Sequence, residues 1–424
     1  MYLVLKRYGG RKKECSGRII LICFQLSQTF ADKQILFNVM KILSYYLLSL
    51  SLLILTSCHK DDPFPDEDHS VLSRKVDEFK SKHKVASISA ALVTGDELSW
   101  QYQSGLSNKE ENIGIQKESI YKLGSVSKPI TGLLLLKLVE QGKINLDQDI
   151  NSYLPFPVRN PNFPNDKITL RQIMTHTSGI TDTIYNEKLL SDFSSIGEDH
   201  PMKLKNFVHE MLATDGHYYH PKTFSKNKPG TLYNYSNVAV ALAGSIIEEI
   251  SGQSFEDFSK QYITSPLQMH ETLWKISQVP SKLFAYPYGP QGENYGLYAL
   301  VDLPSGGLHS SVGDLARVMS LIINEGKYQG KTLFDQVSIQ EMRRIQFPFA
   351  EDPELKNQGL LLEHTNIGRH QLIGHNGKVP GSNTFMWIDN KEKRGVMIMI
   401  NSDIISATMM KDVINLIEQI LDTK

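Results

Sequence analysis

The sequence predicts an α+β fold: an antiparallel sheet built from both chain ends, flanked by helices, with a helical lobe inserted between them. Three observations carry this reading. Strand-like apolar runs cluster near residues 85–104 and again over 370–402. The stretch from about 121 to 320 has mostly helical spacing, broken by loops rich in Pro, Asn and Tyr. No composition break and no repeat of fixed period marks a second folded domain.

Taken in order, Val71, Leu72, Val76 and Phe79 recur at helical spacing in "SVLSRKVDEFKSKHK" (70–84), predicting a helix. "VASISAALVT" reads as a buried strand, Gly95-Asp96 as a turn, and "ELSWQYQSG" as the alternating strand that returns. "PITGLLLLKLVEQG" is a strongly apolar helix ending at Gly142, with Pro129 in the first turn, where its missing N–H matters least. Near the other end, "HQLIGHNG", "SNTFMWID" and "RGVMIMINS" read as three strands joined by short turns, and 406–422 as an amphipathic closing helix.

Charge excludes some classes of function. With 45 Lys+Arg against 46 Asp+Glu and 41% hydrophobic residues, the chain has neither the basic excess of a nucleic-acid binder nor the polarity of a disordered one. The N-terminus is different. Residues 40–57 combine a lysine with an apolar run from Ile42 to Leu55, a secretory signal too short to be read as a spanning helix. Cys58, directly after Leu-Thr-Ser, resembles the lipidated cysteine of a bacterial lipobox. Residues 1–39 are read as an extension ahead of the true start at Met40. Without residues 1–57 the chain keeps 37 basic and 44 acidic side chains and one cysteine, so no internal disulfide is expected. Residues 58–70 are read as an acidic tether and 71–424 as the folded domain. Lys60-Asp61-Asp62 resembles a surface-export signal, which places the protein in the cell envelope, periplasmic or on the outer membrane.

The chemistry begins with Ser-Val-Ser-Lys at 125–128. The pattern Ser-x-x-Lys is cheap and also starts at Ser57, Ser81, Ser119 and Ser225. Only the copy at Ser125 joins a glycine-led entry (Lys122-Leu123-Gly124) to an apolar helix. There, residues three apart share a face, so Lys128 falls within reach of the Ser125 hydroxyl. A serine hydroxyl needs a neighbouring base, and a lysine serves as one only when burial or a nearby cation lowers its pKa. A second polar group is therefore expected. Tyr235-Ser236-Asn237 supplies it at the edge of the helix in "PGTLYNYSNVAVALAGSIIEEISG", although a helix-capping turn would read the same way. His375-Asn376-Gly377, the single His-x-Gly, falls on a predicted strand, where a glycine often marks close approach.

In this order and spacing the three motifs resemble the serine β-lactamase-like family, which includes class C β-lactamases, D-alanyl-D-alanine carboxypeptidases, D-amino-acid amidases and related esterases. "ITLRQIMTHTSGI", "SPLQMHET" and "LPSGGLHSSVGDLARVMSLI" are similar to further family segments, and the likeness runs from about residue 71 to the C-terminus. The resemblance implies a β-lactamase/transpeptidase-like fold, Ser125 as acylated nucleophile, Lys128 as the group sharing its proton, and Tyr235 as shuttle to the leaving group. It implies Asn237, His375, Gly377 and Lys378 as substrate-binding positions, with the Ser125 and Lys378 amides as oxyanion hole. No metal or cofactor is implied, and the partner is a small-molecule, peptide or ester substrate met by a monomer held to the membrane through Cys58. One departure matters: class C enzymes carry Lys-Thr-Gly where this chain has His-Asn-Gly. A histidine of ordinary pKa is mostly neutral at pH 7 and offers no fixed charge to a β-lactam carboxylate. Peptidase or esterase chemistry is thus favoured over β-lactam hydrolysis, with a non-catalytic penicillin-recognising envelope protein as the alternative. His176 in "THTSG" is read as structural, and the pair His217/His220 lacks the further ligands a metal needs. Substrate selection is assigned to loops 181–230 and 285–300, with Tyr185, Tyr218, Tyr219, Tyr286, Tyr288, Tyr295 and Tyr298, side chains that plain packing would explain equally well.

Overall fold

A run such as "SISAALVT" buries both faces, so it needs cover on two sides. The computed structural model, which describes residues 67–423 apart from Phe349 and Glu354, supplies that cover. The main sheet contains β1 (Ser87–Thr94), β2 (Glu97–Asn108), β3 (Ile113–Gly114), β4 (Glu363–Ile367), β5 (His370–Val379), β6 (Ser382–Asp389) and β7 (Arg394–Ile400). Its seven strands run in the order β4-β5-β6-β7-β1-β2-β3, every pair antiparallel. The junction of the two chain ends is the register Ile88↔Ile400 through Thr94↔Arg394.

Helices cover the sheet: α1 (Glu67–His83), α2 (Ser127–Glu140), α3 (Asn237–Ser251), α4 (Val312–Ile323) and α5 (Ala407–Asp422). Alternate β1 residues divide between two cores. Ile88, Ala90 and Leu92 pack with Val76 of α1 and Val413 and Ile417 of α5. Ala91 and Val93 face Leu133, Leu315 and Met319 on the other side, in the core shared with α2, α3 and α4. The two-residue alternation of a strand makes this division, and each buried large aliphatic contributes about 1.5–3 kcal/mol.

The sequence reading differs from the structure in three places. The first helix starts at Glu67, inside the segment read as tether, not at Ser70. Neither edge strand shows a strand period in the sequence: β3 has two residues, and the "EHTNI" of β4 is polar. The helical lobe also contains short two-stranded ribbons, Tyr121–Lys122 with His309–Ser310 and Ser194–Ile196 with Tyr298–Leu300, too brief to show a period. Residues 1–39, residues 40–57 read as a signal, Cys58 and the part of the segment read as a tether up to residue 66 lie outside the described residues. No helix among the described residues is long and apolar enough to cross a membrane.

Candidate active site

Ser125 sits on a 3₁₀ turn, Gly124–Val126, between the Tyr121–Lys122 strand and α2. Lys128, in the first turn of α2, is fully buried. Its Nζ donates to Ser125 Oγ (3.1 Å), Asn237 Oδ1 (2.7 Å) and the Ser305 carbonyl (2.8 Å). Three acceptors match the three donors of an ammonium. The Tyr235 hydroxyl donates to the same Ser125 oxygen at 2.8 Å, and the ammonium lies 4.7 Å from the Tyr235 ring centroid. An alcohol, an amine and a phenol thus meet at one oxygen.

Two glycines let the turn bearing Ser125 touch the sheet. Gly124 has φ +55°, and a Cβ there would stand 3.0 Å from the Lys378 amide nitrogen. A Cβ at Gly377 would lie 1.9 Å from the Leu123 carbonyl oxygen. Gly377 is therefore first a spacer that admits the Leu123–Gly124 backbone against β5, and this brings the Lys378 amide beside the turn bearing Ser125.

Burial controls the electrostatics. It lowers the Lys128 pKa to about 8, opposed by the negative charges of Asp302, Asp182 and Glu363. Burial pushes the Tyr235 phenol well above 10. His375 is buried at the other wall and held below the ordinary histidine range, again chiefly by burial, against the pull of Glu363. Its Nδ1 donates to the Asn376 carbonyl (2.6 Å), which leaves Nε2 facing Glu363 Oε1 at 3.6 Å.

One residue here, Asp182, is absent from the sequence reading, and His176, Ser236 and Asn237 take on fuller roles than it gives them. His176 packs against Tyr235 with the rings tilted and centroids 4.3 Å apart, and its Nδ1 accepts from the Ser236 amide (3.3 Å) while its carbonyl accepts from the Asn234 amide (2.7 Å). Being structural and shaping the site are the same role for this side chain. Asp182 anchors the start of α3, accepting from the Asn237 amide (2.8 Å), the Val238 amide (3.1 Å) and Ser236 Oγ (2.9 Å). Negative charge at a helix N-terminus is favourable, and it fixes the turn that carries Tyr235. Ser236 is itself the helix cap, accepting from the Ala239 amide. Asn237 Oδ1 is committed to Lys128, so this side chain braces the lysine before it meets any substrate.

A cavity of about 540 Å³ opens beside Ser125. Ser125, Asn237 and Lys378 edge it on the polar side, and Leu189, Leu300 and Val379 on the apolar side. Of the seven tyrosines named from sequence, Tyr185, Tyr295 and Tyr298 line it. The others serve elsewhere: Tyr218 packs edge-on against Phe193, Tyr219 lies near Phe224, Tyr286 packs against Phe284, and Tyr288 donates to Glu110. His220 caps a short turn through the Lys222 amide, and His217 packs on Tyr218.

A family model for beta-lactamase matches residues 72–417. The chain belongs to the beta-lactamase family. Among relatives, Protein flp of Staphylococcus aureus (strain MW2) is 26% identical over 302 residues, covering 70% of this chain and 56% of that protein. The chain thus spans little more than half the length of that curated relative. Among solved structures, the octameric penicillin-binding protein homologue from Pyrococcus abyssi aligns with a TM-score of 0.60 and 25% identity, over 79% of this chain and 73% of that one. The D-amino acid amidase of Ochrobactrum anthropi SV3, complexed with L-phenylalanine, aligns with a TM-score of 0.66 and 20% identity, over 83% of this chain and 98% of that one. The beta-lactamase family fold, a sheet with flanking helices, is the one described above.

Proposed function

We propose that the protein is an exported, lipid-anchored serine hydrolase that cleaves an amide or ester with an apolar acyl part through an acyl-Ser125 intermediate. The observation that carries the reading is the convergence of Lys128 Nζ and the Tyr235 hydroxyl on Ser125 Oγ. In the first half-reaction Oγ bonds to the carbonyl carbon while its proton passes to the Lys128–Tyr235 pair. The C–N or C–O bond then breaks as the pair returns that proton to the leaving group. Water repeats the sequence in reverse, releasing the acid and restoring the hydroxyl. The Ser125 and Lys378 amides face the developing oxyanion, a contribution on the order of 2.7–4 kcal/mol per donor.

Substrate class follows from the walls. Leu189, Ile196, Leu300 and Val379 favour an apolar acyl group. A buried, neutral His375 gives no fixed cation to a carboxylate, which argues for a peptidase- or esterase-type substrate over a β-lactam. Cys58 is the proposed lipid attachment point, with the domain working in the cell envelope. Incorporation of radiolabelled palmitate, lost in Cys58→Ala, tests the anchor. The activity is tested with a panel of short-chain aryl esters, D-phenylalaninamide, a D-Ala-D-Ala peptide and a chromogenic cephalosporin. Turnover of the esters or amides, abolished in Ser125→Ala, is expected. Turnover that survives Ser125→Ala would reject the reading, and a cephalosporin as preferred substrate would reject the substrate class.

A further inference from the structure

Lys128 has a third partner besides Ser125 and Asn237, on the same cavity wall. Its third acceptor, the Ser305 carbonyl, belongs to a one-turn helix, Leu303–Gly306. That turn is strapped along the start of α2: Thr131 Oγ1 donates to the Pro304 carbonyl (2.7 Å), and the Leu308 amide donates to Ser127 Oγ (3.0 Å). The turn begins at Asp302, a carboxylate only 1% exposed. One carboxylate oxygen accepts from the Tyr185 hydroxyl (2.7 Å) and the other from Ser305 Oγ. The Ser305 amide closes the same loop onto the Asp302 carbonyl at 2.9 Å. Sequence and fold therefore fix a chain of contacts, Tyr185 to Asp302 to Ser305 to Lys128, that reaches the lysine without touching the nucleophile.

We propose that Asp302 is a positioning residue for Lys128: by gripping Ser305 through hydroxyl and amide it aims the Ser305 carbonyl at Nζ, and it sets a buried negative charge near the lysine. The proposal rests on the acyl-enzyme reading above. Asp302 faces two lysines, Lys128 and the buried Lys122, and its charge favours the ammonium form of both. Lys128 is also faced by Asp182 and Glu363, whose charges act the same way, and by the histidines His176 and His375 and the phenol of Tyr235. Of these, Asp302 is the largest opposing influence on burial. Removing its charge while keeping its shape therefore moves the Lys128 titration down, whichever protonation state the chemistry uses.

The experiment is the rate of Ser125 phosphonylation by a fluorophosphonate as a function of pH, in full-length protein, with the 13Cε signal of Lys128 titrated in parallel. In Asp302→Asn the controlling midpoint should fall by about one pH unit from its wild-type position near 8, with Asp302→Glu restoring part of the shift. A rate lowered equally at every pH, with the midpoint in place, would mean that Asp302 merely supports the fold and would overturn the electrostatic half. Ser305→Ala, a smaller change that loses the hydroxyl half of the grip and keeps the amide half and the charge, should slow labelling about fivefold or more with the midpoint unmoved. Wild-type speed in Ser305→Ala would overturn the positioning half. Absence of labelling in wild-type protein would reject the acyl-enzyme reading instead, while the 13Cε titration would still report whether Asp302 moves the lysine.

Discussion

Two Ser-x-x-Lys segments lie six residues apart, and both lysines are buried. At Ser119-Ile-Tyr-Lys122 the backbone is extended: Ile120 bridges Phe284, and Lys122 pairs with His309 in a short ribbon. Residues three apart on a strand point to opposite faces. Ser119 Oγ accepts from the Gln116 amide, and Lys122 Nζ donates to the Tyr298 carbonyl (3.1 Å) over the Tyr298 ring. At Ser125-Val-Ser-Lys128 the backbone turns into a helix, and the two side chains meet. The same four-residue pattern yields two isolated groups in one place and a coupled pair in the other. Backbone geometry decides which lysine can serve a serine.

Methionine substitutions break the comparison most sharply. Lys128→Met should lower kcat/KM for a reactive ester by about 10³-fold or more, since it removes one member of the pair proposed to take the Ser125 proton. Tyr235→Phe keeps the His176 contact and loses the hydroxyl, for an expected loss of about 10²–10³-fold on amides. Esters, with better leaving groups, should lose less. His375→Lys is a smaller change. It places an ammonium near Glu363 and should raise cephalosporin turnover relative to a neutral ester by about tenfold, measured as a ratio of kcat/KM values.

Lys122→Met should change activity least, within about threefold, and act on stability instead. Burial lowers the Lys122 pKa to about 7 from 10.5, with Asp302 opposing. Because the folded-state pKa is depressed, the unfolded chain binds the extra proton between pH 7 and 10.5, so wild-type stability rises with pH across that window. Lys122→Met should therefore gain about 2–4 kcal/mol at pH 7, a gain that shrinks by pH 9.5 in urea titrations. A constant difference at both pH values would contradict the buried-cation account.

How much of this was legible beforehand depended on whether the signal was local. The apolar runs of β1, β5, β6 and β7 and the helix after Ser125 were readable, because a strand buried on both faces and an apolar helix each leave a pattern in consecutive residues. The triplets at 125–128, 235–237 and 375–377 were readable as motifs. Asp182 and Asp302 were not, although each shapes the site, and His176 was legible only as a structural residue. Asn237 for Asp182, Tyr235 for His176 and Tyr185 for Asp302 lie dozens of residues away in sequence, and a lone Asp before a turn looks like any other cap. The loop tyrosines divide between the two readings open to them: Tyr185, Tyr295 and Tyr298 line the cavity, whereas Tyr288 ties the loop to Glu110 and Tyr218 fills a core edge.

The central claim is that Ser125 is activated by the groups it touches. Intact-protein mass spectrometry after brief exposure to a fluorophosphonate, followed by peptide mapping, tests it most directly. One adduct on the peptide bearing Ser125 is predicted in wild-type and Lys122→Met protein, with little or none in Lys128→Met. An adduct on a different serine, or equal labelling in Lys128→Met, would contradict the account.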